Sequence, residues 1–225
     1  MQHSVSLSKA LGDDAIVQIS KRRIYHRRMK PVFDLCLALA LVPVLMPVIA
    51  VFWALARLDG GSGFYGHTRI GKDGRPFRCW KIRTMVPDAE RRLALLLATD
   101  ADAAIEWELS RKLKNDPRVT RLGRFLRKTS LDELPQIWNI LRGEMSFVGA
   151  RPVTEDELTL YRHRRQAYLS QRPGVTGFWQ VLGRSDLPYA LRVEMDMAYL
   201  QKCSLFMDIG LILLTVAVVL RGTGE

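Results

Sequence analysis

Several common features are missing from this chain of 225 residues. Its three cysteines, Cys36, Cys79 and Cys203, include no Cys-x-x-Cys pair, which argues against a disulfide framework and against a cysteine-based zinc site. The sequence has no Gly-rich phosphate loop ending in Gly-Lys-Ser/Thr, no Gly-x-Gly-x-x-Gly turn and no His-Glu-x-x-His pair. Three common cofactor and metal architectures therefore lack support.

Acidic residues are outnumbered. There are 34 Lys and Arg residues against 23 Asp and Glu residues, which gives a formal net charge of +11. Hydrophobic residues make up 48% of the chain, which excludes a disordered protein. A chain with this much positive charge favours an acidic partner. The candidates are nucleic acid, an anionic membrane surface and a phosphorylated substrate. The length suggests one compact domain or a small domain with a tail.

The longest apolar stretch covers residues 35–56, which are 22 residues without a charge. As one straight helix it would be about 33 Å long, the thickness of a hydrocarbon core, so one interpretation is a transmembrane span. Pro43 and Pro47 lie in its middle and favour a kink. Both flanks are basic, and positive charge marks the cytoplasmic side of a membrane segment. The second interpretation is a re-entrant helix that returns to the same face.

Weaker patterns organise the rest of the chain. Strand-like runs at 64–69 and 76–83 flank a Gly-Lys-Asp-Gly turn and predict a β-hairpin. Apolar residues recur every four positions over 87–113, which predicts one long helix with a core-facing stripe. A helix on the bilayer is the alternative, but the mixture of acids and bases on the polar face favours the core. A second apolar stretch, 205–220, has 16 residues and is short for a span. It predicts a buried helix or an interfacial helix that lies against the membrane.

Two adjacent carboxylates, Asp132 and Glu133, precede an apolar run. A structural interpretation is a helix start, with Ser130 and Glu133 as a capping box or with Asp132 as the N-cap. Pro135 fits the second choice better, because the third helical N–H is unpaired anyway. A functional interpretation uses the same geometry: a carboxylate at the positive helix end can attack phosphorus. A second carboxylate beside it can help hold a metal or manage a proton.

Basic residues surround this pair in the sequence. Arg118 and the cations of 121–128 precede it, and Arg142 and Arg151 follow it. Arginine is the usual planar partner of phosphate oxygens, so the pattern favours a site for a multiply charged phosphate. A solvated basic face accounts for some of these residues equally well.

The segment 172–184 is rich in glycine and proline and predicts tight loops. Its small residues leave backbone amides accessible, and Gln180 and Arg184 add polar side chains near Gly177. Such loops suit a nucleotide base or phosphate. We therefore interpret Gly177, Gln180 and Arg184 as nucleotide-binding residues.

Taken together and in order, these segments resemble the bacterial sugar transferase family, the monotopic polyprenyl-phosphate phosphoglycosyl transferases. The resemblance extends from about residue 27 to residue 220. In its short form the chain is similar to exopolysaccharide-initiating hexose-phosphate transferases of the succinoglycan type. The segments that carry it are the basic stretch with Asp34 before the apolar run, then Lys81 to Met85, Asp116 to Thr120, Ser130 to Gln136, Arg142 to Gly149, and Arg172 to Gly177.

The resemblance implies a mostly α fold with a small β-hairpin. It implies a basic N-terminal tail at 1–30, a re-entrant membrane helix at 31–58, and a cytoplasmic, membrane-associated catalytic domain with interfacial helices at 59–225. Family members break the re-entrant helix at a Ser-Pro pair, whereas this chain has Met46 before its proline. The family usually has proline where this chain has Ala150, which predicts a looser loop before Arg151.

The resemblance also implies a reaction. A UDP-sugar donates its sugar-1-phosphate to undecaprenyl phosphate, UMP leaves, and exopolysaccharide assembly begins. The sugar, which could be galactose, glucose or an N-acetylhexosamine, is not fixed by the sequence. Asp132 is implied as the nucleophile that forms a phosphosugar-aspartate, with Glu133 as its partner and Mg²⁺ as the cofactor held by this pair. Lys81 and Arg151 match the family's phosphate-binding lysine and arginine, and Arg118 of the basic surroundings is a further candidate phosphate-binding residue.

The expected location is the cytoplasmic face of a bacterial inner membrane, with membrane lipids but no nucleic acid as partners. The sequence sets no oligomeric state and leaves a dimer open. The alternative is a membrane-tethered basic adaptor or nucleic-acid-binding protein without catalysis. The two hypotheses differ for Asp132→Asn: a helix cap tolerates asparagine, whereas a nucleophile does not.

Overall fold

The computed structural model describes residues 24–110, 113–182 and 187–220, without the side chains at 109, 110 and 220. This part of the chain is mostly helical with a small hairpin, so that part of the fold prediction is confirmed. The strands are β1 (Phe64–Ile70), β2 (Pro76–Ile82), β3 (Ser146–Val148) and β4 (Gly174–Thr176). The α-helices are α1 (Lys30–Ala56), α2 (Ala89–Thr99), α3 (Ala101–Ser110), α4 (Arg121–Lys128), α5 (Ile137–Leu141), α6 (Glu155–Thr159), α7 (Arg165–Leu169), α8 (Phe178–Leu182), α9 (Tyr189–Lys202) and α10 (Leu205–Leu220).

The apolar stretch forms α1, which follows a π-helical turn at Tyr25–Met29 and ends in a 3₁₀ turn at Arg57–Asp59. Pro43 and Pro47 lie inside α1, and the helix continues through both. Among the described residues, α1 with its flanking turns is the only helix that is both long enough and apolar enough to cross a membrane. Much of its apolar surface is exposed, as expected of a helix that contacts lipid. Residues 24–30, predicted to belong to the N-terminal tail, are therefore helical. Residues 1–23, the rest of the predicted tail, lie outside the described residues.

The chain divides into two compact units. The first contains the described residues as far as Val42, together with Thr68–Cys79 and Gln136–Ala217. The second contains Pro43–His67, Trp80–Pro135 and the described residues from Val218 onward. The division of α1 falls immediately before the first of its two prolines.

In the first unit, β3 and β4 form a parallel ladder with Ser146 opposite Gly174 and Val148 opposite Thr176. The ladder joins two of the motifs that carried the family resemblance. It was not predicted, because a strand of three residues shows no recognisable alternation of apolar and polar positions.

Backbones approach closely at the end of this ladder. A Cβ on Gly174 would lie 2.1 Å from the backbone nitrogen of Gly149, so only glycine fits there. The Gly174 N–H donates to the Ala150 carbonyl at 2.8 Å, and the Ala150 side chain is fully buried. The loop before Arg151 is therefore well held, and the looser loop expected from the missing proline is not observed.

Two apolar clusters of described residues lie in the first unit. One is built around tyrosines of α7 and the segment before it, and the other packs α9 and α10 against the start of the N-terminal helical segment. Their buried members are Ile70, Ala150, Val153, Leu158, Tyr161, Tyr168, Val193 and Met197 in the first cluster, and Tyr25, Val148, Tyr199, Cys203 and Leu211 in the second.

A buried ionic network joins the start of α1 to α9 and α10. The Asp208 carboxylate lies 2.5 Å from Lys30 Nζ and accepts hydrogen bonds from the hydroxyls of Tyr25 at 2.6 Å and Tyr199 at 2.7 Å. Asp34 lies 4.0 Å from the same ammonium. The sequence showed Asp208 only as the single charge of an apolar stretch. Its partner Lys30 is 178 positions away, which no local pattern can indicate.

In the second unit, the predicted long helix is two helices, α2 and α3. Asp100 between them has extended backbone angles, and its carboxylate accepts the Ala103 N–H at 3.0 Å, so it caps α3. None of the residues of α2 is buried, and Ile105 in α3 is 57% exposed. The prediction of a core-facing stripe was therefore wrong.

The C-terminal helix α10 has one buried and one exposed face. Asp208 and Leu211 are buried, whereas Phe206 is 86% exposed and Leu213 and Val216 are also exposed. An apolar exposed face is typical of a helix at a membrane surface. The interfacial position of α10 stays a prediction.

Candidate active site

The end of β2 brings a lysine to the two adjacent carboxylates. Lys81 Nζ lies 2.5 Å from Glu133 Oε1 and 3.8 Å from Asp132 Oδ2. All three residues belong to the second unit. The structure thus assembles three of the predicted site residues, although Lys81 is 52 positions away from Glu133 in the chain.

The carboxylates lie in the first turn of a 3₁₀ helix, Leu131–Gln136, that leads into α5. Ser130 before it has φ of 55°, which is left-handed and not the extended conformation of an N-cap. Neither predicted cap is therefore observed, since Asp132 lies within the 3₁₀ turn. Pro135 also lies inside the turn, at its fifth position, where a proline supplies no N–H to the helix.

Burial dominates the electrostatics of Asp132. The residue is 7% exposed, and loss of water together with the charge of Glu133 raises the pKa of the Asp132 carboxyl to about 6. The charges of Lys81 and Arg127 act in the opposite direction. Asp132 is therefore mostly ionised at pH 7 but poorly solvated, which suits a carboxylate that attacks an electrophile.

Arg127 is a member of the site that our sequence interpretation placed only within a basic run. Its Nε donates to the Thr84 hydroxyl at 3.0 Å, and its charge acts on Asp132. The hydrogen bond fixes the guanidinium against the segment that follows β2. Only the spacing of Arg127 from the carboxylates could have singled it out.

Arg118 is engaged by its own neighbours. Its guanidinium donates to both oxygens of Asp116, at 2.8 Å and 2.6 Å, and lies 5.0 Å from the centre of the Trp107 ring. Burial raises the pKa of Asp116, but the hydrogen bonds from Arg118 outweigh it and hold this pKa below its ordinary value. These contacts are structural, and phosphate binding by Arg118 stays a prediction.

A glycine fixes α4 against the segment between β2 and α2. The Thr120 hydroxyl caps α4 by accepting the Gly123 N–H at 2.8 Å, and Thr120 N–H donates to the Thr84 carbonyl at 3.0 Å. A Cβ on Gly123 would lie only 2.0 Å from that carbonyl oxygen. The close approach helps to hold Thr84, and through it Arg127, in place.

We expect Gly123→Ala to lower the stability of the protein by roughly 1–3 kcal/mol, because the added methyl group overlaps backbone that cannot move freely. Thermal unfolding in detergent measures the effect. Gly210→Ala in α10 is the matched control, since a Cβ there meets nothing within 4 Å. A Gly123→Ala protein as stable as this control would contradict the close packing of α4 on Thr84.

The other predicted site residues belong to the first unit. Arg151 is exposed, and its guanidinium lies 5.7 Å from the centre of the Trp179 ring, which Arg192 also contacts at 4.9 Å. Gly177 is buried and tightly enclosed, since a Cβ there would lie 2.4 Å from a backbone oxygen, so the accessible backbone expected at this residue is not observed. Arg184, the third residue predicted to bind the nucleotide, lies outside the described residues.

Gln180 of α8 has an unusual feature. Its Nε2 donates to the Val175 carbonyl at 3.4 Å, while its Oε1 is buried without a hydrogen-bond partner among the residues that the structure describes. A buried amide oxygen without a donor is costly.

The carboxylate pair offers only part of the oxygen ligands that Mg²⁺ requires. Among the described residues, His, Cys, Asp and Glu side chains form no group of three or more that could hold a metal. Asp132 and Glu133 supply hard oxygen ligands, and Mg²⁺ is often bound by one or two carboxylates plus substrate phosphates and water. The pair therefore fits Mg²⁺ only together with a phosphate-bearing substrate.

Comparison with known proteins decides the family. The family model for bacterial sugar transferases matches residues 25–222. The chain belongs to the bacterial sugar transferase family. The resemblance inferred from the motifs is confirmed, and the matched region contains all of the candidate residues.

Among the sugar transferases most similar to this chain is the exopolysaccharide production protein ExoY of Rhizobium meliloti, 48% identical over 194 residues that make up 86% of each protein. The UDP-galactose-lipid carrier transferase of Erwinia amylovora is 46% identical over 93% of this chain and 44% of its own length. The undecaprenyl-phosphate galactose phosphotransferase of Salmonella typhimurium is 46% identical over 88% of this chain and 42% of its own length. The chain thus spans less than half the length of several curated sugar transferases that it matches.

Proposed function

We propose that the chain transfers a hexose-1-phosphate from a UDP-sugar to undecaprenyl phosphate, with release of UMP, and so initiates exopolysaccharide assembly. The observation that carries the proposal is the buried Asp132 carboxylate beside Glu133 and the Lys81 ammonium. Family membership and the names of the relatives support it, since two relatives at 46% identity are named for galactose and a lipid carrier. UDP-galactose is therefore the first donor to test.

The reaction has two displacements at one phosphorus atom. A carboxylate oxygen of Asp132 bonds to the β-phosphorus of the UDP-sugar, and the bond from this phosphorus to the bridging oxygen breaks. UMP leaves with that electron pair. A phosphate oxygen of the lipid then attacks the same phosphorus, and the Asp132 carboxylate is released unchanged. No proton needs to be gained or lost by the enzyme.

The other residues of the proposed site would stabilise the negative charge of the substrate phosphates. Lys81 would stabilise the phosphate oxygens as negative charge builds up, and its bond to Glu133 holds the ammonium in place. Arg127, Arg118 and Arg151 supply further cations for the two phosphorylated substrates. Asp132 and Glu133 would hold Mg²⁺ together with the donor's diphosphate, and the ion would neutralise part of that charge.

The loop from Gly177 would receive the nucleotide. The Oε1 of Gln180, which has no hydrogen-bond partner among the described residues, supports this, because a ligand N–H donor would satisfy it.

We also propose that α1 is re-entrant and that residues 1–30 and 64–225 face the cytoplasm. Both ends of α1 are bound by residues of the folded chain that follows it. At the start, Lys30 pairs with Asp208; at the end, Arg83 Nη2 donates to the Ala56 carbonyl at 2.5 Å. Labelling of single cysteines placed on either side of α1 should find both on the cytoplasmic face, and an N-terminus exposed on the opposite face would contradict re-entry.

The proposed function is tested by UMP release from the detergent-purified protein. We expect multiple turnovers with Mg²⁺ and one UDP-sugar, starting from UDP-galactose, only when undecaprenyl phosphate is present. Without the lipid, intact-mass analysis should show a protein heavier by one hexose phosphate. Folded protein that releases no UMP from any UDP-sugar, in the presence of the lipid, would contradict the proposal.

A pH profile tests the state of Asp132. The attacking carboxylate must be ionised, so the rate should fall as pH drops through about 6, the pKa raised by burial. Lys81 lowers this pKa, so Lys81→Met should move the acidic limb to higher pH as well as reduce the rate. The measurement is single-turnover UMP release between pH 5 and 8. An acidic limb that stays in place in Lys81→Met would contradict the coupling of the two groups.

A further inference from the structure

A small cavity of about 80 Å³ lies beside the start of α1 in the first unit, and basic side chains dominate its lining. Four cations come from three separate segments of the chain. They are Arg27 and Lys30 from the N-terminal helical segment, Lys72 from the turn between β1 and β2, and Arg172 from the loop before β4. Among the described residues, Asp34 is the only carboxylate in the lining. The described lining therefore carries more positive than negative charge.

Most of these cations have no carboxylate partner among the described residues. Lys30 pairs with Asp208, but Arg27, Lys72 and Arg172 form no ion pair with any residue that the structure describes. The pKa of the neighbouring His26 is lowered, first by burial and then by the charges of Lys30 and Lys72. Like charges that converge without a counter-ion repel one another, and a bound anion would relieve the repulsion.

The dimensions fit a phosphate group. A water molecule's share of liquid volume is about 30 Å³, so the cavity exceeds the space of one or two waters. A wider cavity of about 1120 Å³ shares His26, Arg27 and Lys72 with it, and its lining also includes Asp73, Gln166 and Ser170. The polar part of a larger phosphate ester can therefore extend from the small cavity into the wide one.

Position along the chain indicates the source of the anion. The residues of the N-terminal segment that line the cavity end at Asp34, and the uncharged stretch begins at the next position. If α1 enters the bilayer as proposed above, the cavity lies at the depth of the lipid headgroups. Basic pockets at this depth bind anionic headgroups.

We propose that this cavity binds the phosphate of an anionic phospholipid headgroup, for which phosphatidylglycerol is the test ligand. The proposal rests on the membrane placement of α1 but not on the transferase chemistry of Asp132. Arg27, Lys72 and Arg172 would contact the phosphate oxygens, and the remainder of the headgroup would occupy the wide cavity.

The test measures binding of short-chain phosphatidylglycerol to the full chain in uncharged detergent, from the rise in unfolding temperature with lipid concentration. Short-chain phosphatidylcholine and inorganic phosphate at matched ionic strength are parallel probes. We expect Arg27→Gln/Lys72→Gln to weaken phosphatidylglycerol binding by roughly thirtyfold, since each interfacial cation contributes about 1 kcal/mol. The matched control, Arg28→Gln/Arg75→Gln, removes the same charge from exposed residues of the same two segments outside the cavity.

The outcomes are distinct. A preference for phosphatidylglycerol that the control keeps and the cavity variant loses supports the proposal. If inorganic phosphate binds as well as the lipid and is lost in the same variant, the anion site stands but the lipid source is overturned. Equal loss in both variants, or no preference over phosphatidylcholine, overturns the site. Failure of all proteins to float with phosphatidylcholine vesicles would instead overturn the membrane placement, and UMP release from the cavity variant reports separately on the transferase proposal.

Discussion

Asp132→Asn should reduce UMP release by at least about a thousandfold, the scale of loss when a covalent nucleophile is removed. The substitution keeps the shape of the side chain and removes a charge that burial already disfavours, since the pKa of Asp132 is raised to about 6. Lys81 retains its bond to Glu133. We therefore expect an unfolding temperature within a few degrees of that of the unaltered protein.

The control for this substitution is Asp102→Asn, which makes the same change at an exposed residue of α3. It should leave both rate and stability unchanged. The hexose-phosphate mass adduct should be present in the control and absent in Asp132→Asn. If Asp132→Asn kept more than a tenth of the rate while folded, the carboxylate would be structural and the adaptor hypothesis would regain support.

Asp208→Leu should destabilise the protein by about 3–5 kcal/mol, because it leaves the ammonium of Lys30 buried without its main partner. Lys30 is 5% exposed and Asp208 is fully buried, so water cannot replace the lost contact. The hydroxyls of Tyr25 and Tyr199 lose their acceptor at the same time. Thermal unfolding in detergent measures the loss.

A double substitution separates the ion pair from simple loss of packing. Lys30→Met/Asp208→Leu removes both charges. Its loss of unfolding free energy should therefore be smaller, by about 1–3 kcal/mol, than the sum of the losses in the two single variants. Glu155→Gln is the exposed control: it breaks the 2.9 Å pair with Arg165 and should cost less than about 1 kcal/mol. Additive effects of the two buried changes would contradict a coupled pair.

Local chemistry explains what could be predicted from the sequence. The hairpin was found because Asp73 and Gly74 take the left-handed conformation, with φ of 59° and 76°, that an Asp-Gly turn provides. The length and lack of charge of the apolar stretch likewise predicted α1. The adjacent carboxylates were found because their residue types, within a basic surrounding, match phosphoryl chemistry.

What could not be predicted depends on contacts distant in the chain. The three partners of Asp208 come from two distant segments, and the β3–β4 ladder depends on backbone approach rather than on side-chain pattern. The break between α2 and α3 depends on one capping side chain, that of Asp100, within an otherwise continuous periodicity. The pKa of Asp132 follows from burial, which a sequence does not display.

Arg83 has a consequence for the choice of membrane. Its guanidinium binds the Ala56 carbonyl and Asp59 where α1 ends, and it lies two residues after Lys81, roughly 7 Å along an extended chain. The end of the apolar helix and the lysine at the proposed reacting carboxylates are thus held at a nearly fixed separation. If α1 lies in the membrane as proposed, a bilayer thicker or thinner than the one to which α1 is matched would change the height of the carboxylates relative to the lipid phosphates. The rate of transfer should then vary with acyl-chain length, so that hydrocarbon thickness itself becomes a determinant of activity.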